Sequence, residues 1–573
     1  MVGTQNLMFC LLNTPFEHNK KLCPETAELV PGKLYYQAPP KSLSDTFTEQ
    51  RGDEILILEG IIANGKRLVD AYAVKSLKEL LWLALKDNSI LGKLHGQFFL
   101  ACYNVVSGDF QVFTNPTNTV RLYYYHQKDT IIVADKIKTI VDILAAAGTI
   151  CSVSELGARM ILSYGYTLEG FTTIEEIKQL PSASRLSYSA GVLGENRYFT
   201  WNFDILHQAT HQSFRELSRL LAAAVSAAFV RDEDHEHIAF LSGGLDSRLV
   251  VYAAHKLGYK GFSVLNFSEP GYLDATIAAD IAKELDLKLH FSSLEGGKYL
   301  HKISQNLVYQ EGQIVLHGAA HLFHALQNLP LKRYGILHSG QIGDIIKGSY
   351  LPTRSHSPVN LMAAAYSTQI LQRFSSELGF VRDKYPNHEA FVLYNRGFNG
   401  ITNGDLASYH FSHSLSPFMA PEFMQYALNM DPAVRYDSRA YLAWMKYSYP
   451  VAARHTWEKT GARASDPFWL VKLKYNAWRG SDKIKRLITK QPNRLNMNPF
   501  DYWWQSNSEL REDLNKEFSC LQELAPYLDK ELQADIAELQ ASRSLSARLQ
   551  AYTLARGILY LLGKQGIVEV SND

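Results

Sequence analysis

The string Ser242-Gly-Gly-Leu-Asp-Ser247 has the residue types that bind the phosphates of a nucleotide. Two adjacent glycines allow backbone N–H groups to crowd around an anion, and a helix beginning behind them would add free donors and a positive dipole end. The two serine hydroxyls can donate to phosphate oxygens. Asp246 would repel phosphate unless a cation lay between them, so this carboxylate indicates Mg²⁺. The string is neither a Walker A motif nor the GxGxxG dinucleotide fingerprint.

The elements around this string are those of a parallel sheet. A short apolar run at 238–241 predicts a buried strand before it, and 247–256 predicts a helix after it. Further strands are predicted at 262–265 and 289–291, with helices at 213–230 and 275–285. Strands that alternate with helices of this length form parallel sheets covered by helices on both faces. In that setting a glycine-rich turn favours nucleotide binding over an ordinary helix cap.

The rest of the chain divides into two regions of different character. Residues 1–200 contain many β-rich runs separated by Gly, Asn and Pro, with helices predicted at 74–86 and 153–164, which indicates a layered α+β fold. Beyond about residue 355 helical patterns dominate. The sequence therefore predicts three domains, at 1–205, 206–470 and 471–573.

Composition and charge exclude several classes of protein. Hydrophobic residues make up 46% of the 573 residues and charged residues 20%, which excludes a disordered or fibrous chain. The net charge is only +1, so neither nucleic acid nor a membrane is expected as a partner. The five cysteines form no CxxC pair, and no signal sequence or apolar run of about 20 residues is seen, which indicates a cytoplasmic protein.

The string 242–247 resembles the pyrophosphate loop of the N-type ATP pyrophosphatases, and other segments narrow the resemblance to the asparagine synthetase family. The stretch from Ser339-Gly-Gln-Ile-Gly-Asp344 to Tyr350 resembles that family's SGEGSDExxGGY turn. Trp457-Glu-Lys459 resembles the loop whose lysine closes the site. In the first 200 residues, Glu59-Gly-Ile-Ile-Ala-Asn64 resembles GEIYN and Leu94-His-Gly resembles LDG, both from the family's glutaminase-like domain.

This resemblance implies a fold class and an activity. The N-terminal region would be a glutaminase-like α+β sandwich of the Ntn type. An α/β domain with a parallel sheet, of the adenine nucleotide α-hydrolase-like type, would follow, and then a helical C-terminal region. The implied activity is an ATP-dependent amide ligase that activates a substrate carboxylate as an acyl-adenylate, releases pyrophosphate, and lets ammonia or an amine displace AMP.

The resemblance also assigns roles to individual residues. Mg²⁺ would be held by Asp246 and Asp344, and Lys459 would stabilise charge on the phosphates and on the tetrahedral intermediate. The residues expected to contact ATP or its pyrophosphate are Leu241, Ser242, Gly243, Gly244, Leu245, Asp246, Ser247, Val264, Ser339 and Gly340.

Three features depart from the family pattern. Active glutaminases of the family carry a cysteine directly after the initiator Met, and Val2 here has no nucleophile. His95 replaces the aspartate of the LDG segment, so the glutaminase-like domain is predicted to be catalytically inactive. In the turn at 339–345 both glutamates are lost, to Gln341 and Ile345, and Gln341 cannot act as a base. The nitrogen donor therefore stays open between free ammonia and a substrate amine.

Several alternatives stay open at the level of sequence. An intramolecular cyclase of the lasso-peptide or β-lactam synthetase type would take a small-molecule or peptide carboxylate and, for a peptide, a precursor and a leader-processing protein as partners. A tRNA-modifying pyrophosphatase is disfavoured because paired cysteines and a basic surplus are absent, and a pseudoenzyme because the predicted site residues are retained. Potential metal ligands at 232–237 are interpreted as a solvated loop. His317, His321 and His324 are interpreted as one face of a helix, near the site or packed.

Overall fold

The computed structural model describes residues 9–13, 27–30, 33–39, 41–489 and 496–563. Two antiparallel sheets of six strands each occupy its first part. Their strands are β1 (Phe9–Asn13), β2 (Ala27–Val30), β3 (Leu34–Tyr36), β4 (Phe47–Arg51), β5 (Glu54–Ile62), β6 (Gly96–Asn104), β7 (Phe110–Thr114), β8 (Tyr123–Gln127), β9 (Thr130–Ala134), β10 (Ile177–Gln179), β11 (Ser184–Ser189) and β12 (Val192–Arg197). The first sheet has the order β10-β8-β9-β1-β3-β2 and the second the order β12-β11-β7-β6-β5-β4.

The two sheets pack face to face, and helices cover their outer faces. Because successive side chains of a strand alternate, Ile55 and Ile57 of β5 join the core between the sheets while Leu56 joins the core under the helices. Phe9 of the first sheet meets Phe99 of the second with ring centroids 5.2 Å apart. The covering helices are α1 (Gly65–Ala71) and α2 (Leu77–Lys86) on the second sheet and α3 (Ile137–Ala146) on the first. This layering agrees with the predicted α+β class.

The helices predicted at 74–86 and 153–164 begin two or three residues later than expected. Ser76 caps α2 by accepting from the Glu79 N–H, and Ser154 caps α4 (Glu155–Tyr164) by accepting from the Gly157 N–H. A serine cap of this kind fixes the first helical turn. The structure adds α3, whose residues include several β-branched side chains that are typical of strands.

A five-stranded parallel sheet follows, as predicted, and its order places the predicted phosphate loop near its centre. The strands are β13 (Glu236–Phe240), β14 (Ser263–Ser268), β15 (Lys288–Ser293), β16 (Tyr334–His338) and β17 (His413–Leu415). They lie in the order β15-β14-β13-β16-β17. The chain therefore runs outward from β13 to one side and then returns to the other side at β16. In open α/β sheets, ligands bind at the carboxyl ends of the strands where the order reverses in this way.

Helices account for most of the remaining chain. The three predicted around the parallel sheet are found as α5 (His211–Arg231), α6 (Asp246–Lys256) and α7 (Leu273–Glu284). The others are α8 (Leu307–Gln310), α9 (Ala320–Gln327), α10 (Asp344–Lys347), α11 (Thr368–Phe374), α12 (Gly379–Arg382), α13 (His388–Val392), α14 (Asn403–Tyr409), α15 (Pro421–Leu428), α16 (Pro432–Arg435), α17 (Arg439–Ser448), α18 (Pro450–Arg454), α19 (Phe468–Thr489), α20 (Phe500–Ser506), α21 (Ser508–Glu517), α22 (Cys520–Leu524), α23 (Lys530–Gln540) and α24 (Leu545–Leu561). Within the described ranges, none of these helices combines the length and the apolar character that crossing a bilayer requires.

The last helix, α24, lies inside the molecule. Most of its residues are buried, and it packs on α22 and α23 and also on α4 from the first part of the chain. Gln550 Nε2 donates to the Ile161 carbonyl at 3.2 Å. The backbones of Gly557 and Gly312 approach so closely that a Cβ at Gly312 would lie 2.5 Å from Gly557 Cα. The helix therefore joins stretches that are hundreds of residues apart in sequence.

Candidate functional site

The predicted phosphate loop leaves the carboxyl end of β13 and turns directly into α6. Ser247 Oγ accepts a hydrogen bond from the Ser242 N–H at 3.0 Å and lies 2.8 Å from Ser242 Oγ. Ser242 Oγ in turn accepts from the Gly244 N–H at 3.2 Å. The two serine side chains therefore stabilise the conformation of the turn by hydrogen bonds to its own backbone.

Asp274, near the start of α7, holds the loop from the side of β14. Its Oδ1 accepts from the Gly243 N–H at 2.7 Å, and its Oδ2 accepts from Asn266 Nδ2 at 2.6 Å. The same amide group of Asn266 donates to the Leu241 carbonyl at 2.8 Å. Burial raises the pKa of Asp274. A Cβ at Gly243 would lie 3.1 Å from Asp274 Cα and 2.9 Å from Glu458 Cβ, so the neighbouring segments leave no room for a side chain.

Arg248 links the loop to the segment that carries Lys459. Its side chain is buried and donates to the carbonyls of Gly243 at 2.8 Å, Thr456 at 2.6 Å and His455 at 3.1 Å. Burial lowers the pKa of the guanidinium to about 10. Several donors in one planar fork suit several carbonyls at once. Arg248 is not among the predicted site residues, although a charged side chain on the buried face of the helix predicted at 247–256 is a signal for a buried partner.

A second turn, after β16, approaches the first so closely that two glycines are required. A Cβ at Gly340 would lie 2.6 Å from Ser247 N, and one at Gly343 would lie 2.4 Å from Asp246 Cγ. Real Cβ atoms essentially never come so close to another heavy atom. The two glycines therefore bring the turn at 339–343 into contact with the first turn of α6.

Lys347 stands between the two carboxylates that are predicted to bind Mg²⁺. Its Nζ lies 2.6 Å from Asp246 Oδ2 and 2.8 Å from Asp344 Oδ1. Burial acts to lower the pKa of Lys347, but the two carboxylates outweigh it and the pKa is raised. Burial raises the pKa of Asp246. At Asp344 the effect of burial is outweighed by the Lys347 ammonium, and the pKa is lowered.

A divalent cation fits the same pair of carboxylates. One ammonium already reaches both, so a single ion in that place would contact both. Carboxylate oxygens are the ligands that Mg²⁺ prefers. The structure thus brings Asp246 and Asp344 together as the sequence predicts. It adds Lys347, for which the only sequence signal is the i, i+3 spacing from Asp344.

A cavity of about 530 Å³ opens at these strand ends. The predicted residues that line it are Ser242, Gly244, Leu245, Asp246, Ser247, Ser339, Gly340 and Lys459. The predicted residues outside its wall are Leu241, Gly243, Val264 and Asp344, of which Leu241 and Val264 are buried in the sheet. Much of the remaining wall is apolar or aromatic and includes Tyr166, Phe240, Phe267, Ile314, Val315 and Tyr366. A larger cavity of about 770 Å³ lies elsewhere, against Asn64, His95 and α5.

Two neighbouring side chains of opposite charge border the cavity beside the loop. Lys459 is exposed, whereas Glu458 is half-buried. The Glu458 N–H donates to the Gly243 carbonyl at 3.4 Å. Burial, and then the nearby Asp274 carboxylate, raise the pKa of Glu458. The segment that presents Lys459 is therefore held on the loop by its own backbone and by Arg248.

Comparison with known proteins agrees with this geometry. Residues 216–399 match the family model for asparagine synthase. This stretch contains the strands β13 to β16, the loop at 242–247 and the turn at 339–344. The chain carries an asparagine synthase domain. Over these residues, the resemblance to the asparagine synthetase family is thereby confirmed.

Two solved structures resemble about half of the chain weakly. One, described as the allosteric regulatory enzyme of purine biosynthesis, is 10% identical, with a TM-score of 0.22 over 50% of this chain and 75% of that chain. The other, glutamine phosphoribosylpyrophosphate amidotransferase from B. subtilis complexed with ADP and GMP, is 13% identical, with a TM-score of 0.21 over 46% of this chain and 68% of that chain. Such scores do not establish a shared fold, so the Ntn-type assignment stays a prediction. Comparison with curated proteins finds no match.

In the synthase domain, the position of one lost glutamate faces a buried carboxyl group. The Gln341 amide lies against the carboxyl group of Asp405, which is fully buried on α14. Burial raises the pKa of Asp405 to about 8. Gln97 of β6 donates to the Asp405 backbone carbonyl at 3.3 Å. No motif around Asp405 indicates this contact, which exists only because α14 packs against both the synthase domain and the second antiparallel sheet.

His95, which replaces the family's aspartate, is held through both its backbone and its ring. Its N–H donates to Asn64 Oδ1 at 2.9 Å, and its Nε2 lies 3.0 Å from the Ser416 carbonyl oxygen. Burial lowers its pKa to about 4, so the ring is neutral at pH 7. Val2 lies outside the described residues.

The three histidines predicted on one helix face do not share a helix, so that prediction is wrong. His321 and His324 lie on α9, but His317 lies in a short 3-10 turn before it, because Ala319 interrupts the helix with a φ of −127°. Burial lowers the pKa values of His317 and His321 to about 4. His321 borders the 530 Å³ cavity.

Proposed function

We propose that the chain is an ATP-dependent amide ligase that forms AMP and pyrophosphate. The observation that carries the proposal is the convergence of the loop at 242–247, Asp246, Asp344 and Lys347 at the carboxyl ends of β13 and β16. These groups lie inside the stretch that matches asparagine synthase. A phosphate-binding turn beside a pair of carboxylates is what cleavage of a nucleoside triphosphate at its α-phosphorus requires.

In the first step, a substrate carboxylate would attack the α-phosphorus of ATP, and pyrophosphate would leave. The hydroxyls of Ser242 and Ser247 and the N–H groups at the positive end of α6 would bind the leaving pyrophosphate. Mg²⁺, held by Asp246 and Asp344, would neutralise charge on the pyrophosphate oxygens. The Lys347 ammonium holds the two carboxylates together by itself.

In the second step, an amine would attack the carbonyl carbon of the acyl-adenylate, and AMP would leave. Lys459, exposed at the edge of the cavity, would stabilise the negative charge of the tetrahedral intermediate. Arg248 is a positioning residue in this scheme because it ties the segment before Lys459 to the phosphate loop.

The nitrogen donor is proposed to be free ammonia or a substrate amine, not glutamine. Val2 offers no thiol, and His95 is a buried neutral imidazole where the family has a carboxylate. An intramolecular cyclase of the lasso-peptide or β-lactam type is therefore the second candidate, with amine and carboxylate in one substrate. The apolar cavity wall around Tyr166 and Ile314 suits an apolar substrate. A peptide substrate would bring a precursor and a leader-processing protein as partners.

Binding of ATP tests the proposal without knowledge of the acyl substrate. In the presence of Mg²⁺, Asp246→Asn and Asp344→Asn should each weaken ATP binding at least about tenfold, because each removes an oxygen ligand of the cation. Without Mg²⁺ the same variants should lose no affinity, because an isolated carboxylate repels phosphate. The matched control is Asp280→Asn, which changes an exposed aspartate of α7. A parent protein that binds no ATP would contradict the proposal, as would variants that bind Mg²⁺ and ATP like the parent.

Product analysis tests the reaction type. Supplied with a panel of carboxylates and amines, or with amine-bearing peptides, the parent should release AMP and pyrophosphate in equal amounts. Release of ADP and phosphate would show that the carboxylate is activated by phosphorylation, and the adenylation step would then be wrong.

A further inference from the structure

Two histidines and one aspartate form a compact group on the sheet below the phosphate loop. Asp232 follows the end of α5, His237 lies in β13, and His338 is the last residue of β16. One ligand atom from each lies within 4.8 Å of the others. The interpretation of 232–237 as a solvated loop is wrong for Asp232, which is fully buried and whose Oδ2 accepts from the Ile336 N–H at 3.2 Å.

Two of the three separations between these atoms fit a tetrahedral metal site. His237 Nδ1 lies 3.2 Å and His338 Nε2 lies 3.5 Å from Asp232 Oδ2. Zinc bonds of about 2.0–2.2 Å to nitrogen and oxygen place neighbouring ligand atoms about 3.4 Å apart. Both measured separations are close to this ligand–ligand distance.

Two buried atoms of the group also make no hydrogen bond to the described residues. Within the described parts of the chain, neither His338 Nε2 nor Asp232 Oδ1 has a hydrogen-bond partner. The His338 side chain is 2% exposed and that of Asp232 is 0% exposed. A buried polar atom without a partner is costly, and a coordinated cation would satisfy it. A Cβ at position 335 would lie 1.9 Å from Asp232 Oδ1, so Gly335 makes room for the carboxylate.

The neighbouring side chains hold the imidazoles in place and leave a path for an ion. The Phe229 ring stacks on His338 with centroids 4.0 Å apart and lies 4.6 Å from His237. His237 and the adjacent His235 are partly exposed, and His235 Nδ1 lies 3.7 Å from Asp232 Oδ1. Packing of this kind fixes ring orientation before a metal binds.

We propose that Asp232, His237 and His338 bind a divalent transition metal, with Zn²⁺ the ion of best fit, and that water beside His235 completes the coordination. Two imidazole nitrogens and a carboxylate oxygen are a ligand set that Zn²⁺ prefers. The ion would join the end of α5 to β13 and β16. It has a structural role that does not depend on the ligase activity proposed above.

Zinc binding by the untagged protein tests this site. After removal of metal with a chelator, the parent should bind one Zn²⁺ per chain in competition with a chromogenic chelator. His237→Ala should weaken that binding by at least about 100-fold, since it removes a direct ligand. The matched control is His290→Ala, a partly exposed histidine of β15 outside the group, which should bind zinc like the parent.

Thermal unfolding with and without Zn²⁺ gives a second readout. The parent should gain stability from zinc, the His290→Ala variant should gain the same amount, and His237→Ala should gain none. Because His237 is partly exposed, this variant tests the site even if substitutions at buried His338 do not fold. A parent that binds no zinc, equal affinity in His237→Ala, or equal loss in His290→Ala would each overturn the proposal.

Discussion

Lys459 is an exposed side chain at the edge of the cavity, so its role rests on charge and not on packing. Lys459→Ala should lower the rate of amide formation by about 10²–10³-fold, because it removes a donor to the developing oxyanion. ATP affinity should change little, since the glycine turn and Lys347 remain. Lys459→Arg should restore only part of the rate, because a planar guanidinium does not replace a compact ammonium. Single-turnover product formation, beside an ATP titration, measures both quantities.

The control for this experiment is Lys446→Ala, which removes an exposed lysine of α17 away from the cavity lining. It should leave both the rate and the ATP affinity unchanged. If Lys459→Ala forms product at the parental rate, Lys459 is a surface residue without a role in catalysis.

His95 makes stability depend on pH with a sign that can be worked out. Its pKa is lowered to about 4 by burial, against about 6.5 in an unfolded chain. The stabilising contribution is therefore complete above pH 6.5 and is lost as pH falls through about 4. Relative to His95→Gln, the parent should lose about 2 kcal/mol of unfolding free energy between pH 7 and pH 5. Urea unfolding of both proteins at the two pH values measures this; a constant difference would show that the folded protein accepts a proton at His95.

The residues that could be predicted are those whose signal is local. The loop at 242–247 combines glycines, serines and an aspartate within six positions, so its chemistry is visible in the sequence. Arg248 and Asp405 carry no such signal, because partners are brought to them by the packing of separate elements. Lys347 shows only its spacing from Asp344, and its contact with Asp246 depends on packing. A single lysine or arginine in a helical pattern is compatible with an exposed helix face. Only the tertiary structure shows whether such a side chain is exposed or contacts a buried partner.

At the scale of elements, the site depends on two turns that touch. The parallel strands β13 and β14 and the helices α5 to α7 could be predicted because alternating apolar runs and helices leave few other arrangements. The close approach of the turns after β13 and β16 could not, since glycine serves equally in an open turn. The need for glycine at 340 and 343 becomes visible only from the atoms that a Cβ at either position would contact.

Gly340→Ala tests that close approach. The added Cβ would lie 2.6 Å from Ser247 N, so the turn must move, at a cost of about 1–3 kcal/mol of unfolding free energy. ATP binding should weaken as well, because the first turn of α6 is displaced. Gly480→Ala is the control, since nothing lies within 4 Å of its Cβ position, and it should be neutral or stabilising by up to about 1 kcal/mol. Denaturant titration and ATP titration measure the two effects; equal stability in both variants would contradict the contact.

At the scale of the whole molecule, the antiparallel sheets and the synthase domain meet through buried polar contacts. The Ser414 N–H donates to Gln97 Oε1 at 2.9 Å, and Tyr409 donates to Glu59 Oε1 at 2.6 Å. These pairs are more than 300 residues apart in sequence, which is why no local pattern predicts them. The types of element in each region can be predicted from the sequence. The contacts that join the regions cannot.

A whole-molecule prediction follows for the nitrogen donor. The purified chain should release no glutamate from glutamine above a heat-treated control, because Val2 has no thiol. Once a substrate is known, ammonium salts or a substrate amine should support product formation and glutamine should not. Glutamate released in step with product would overturn this prediction and would require a nucleophile elsewhere in the chain.

The buried position of α24 has a consequence for how the protein is made. This helix, near the end of the chain, contacts α4, which is synthesised about 400 residues earlier. The surface of α4 that packs on α24 stays exposed while the intervening chain emerges from the ribosome. Newly made chains with exposed apolar surface aggregate or bind chaperones. A stop codon before residue 545 would therefore remove no proposed site residue and yet would expose apolar surface in the N-terminal half. Loss of α24 should therefore reduce the solubility of the remaining chain.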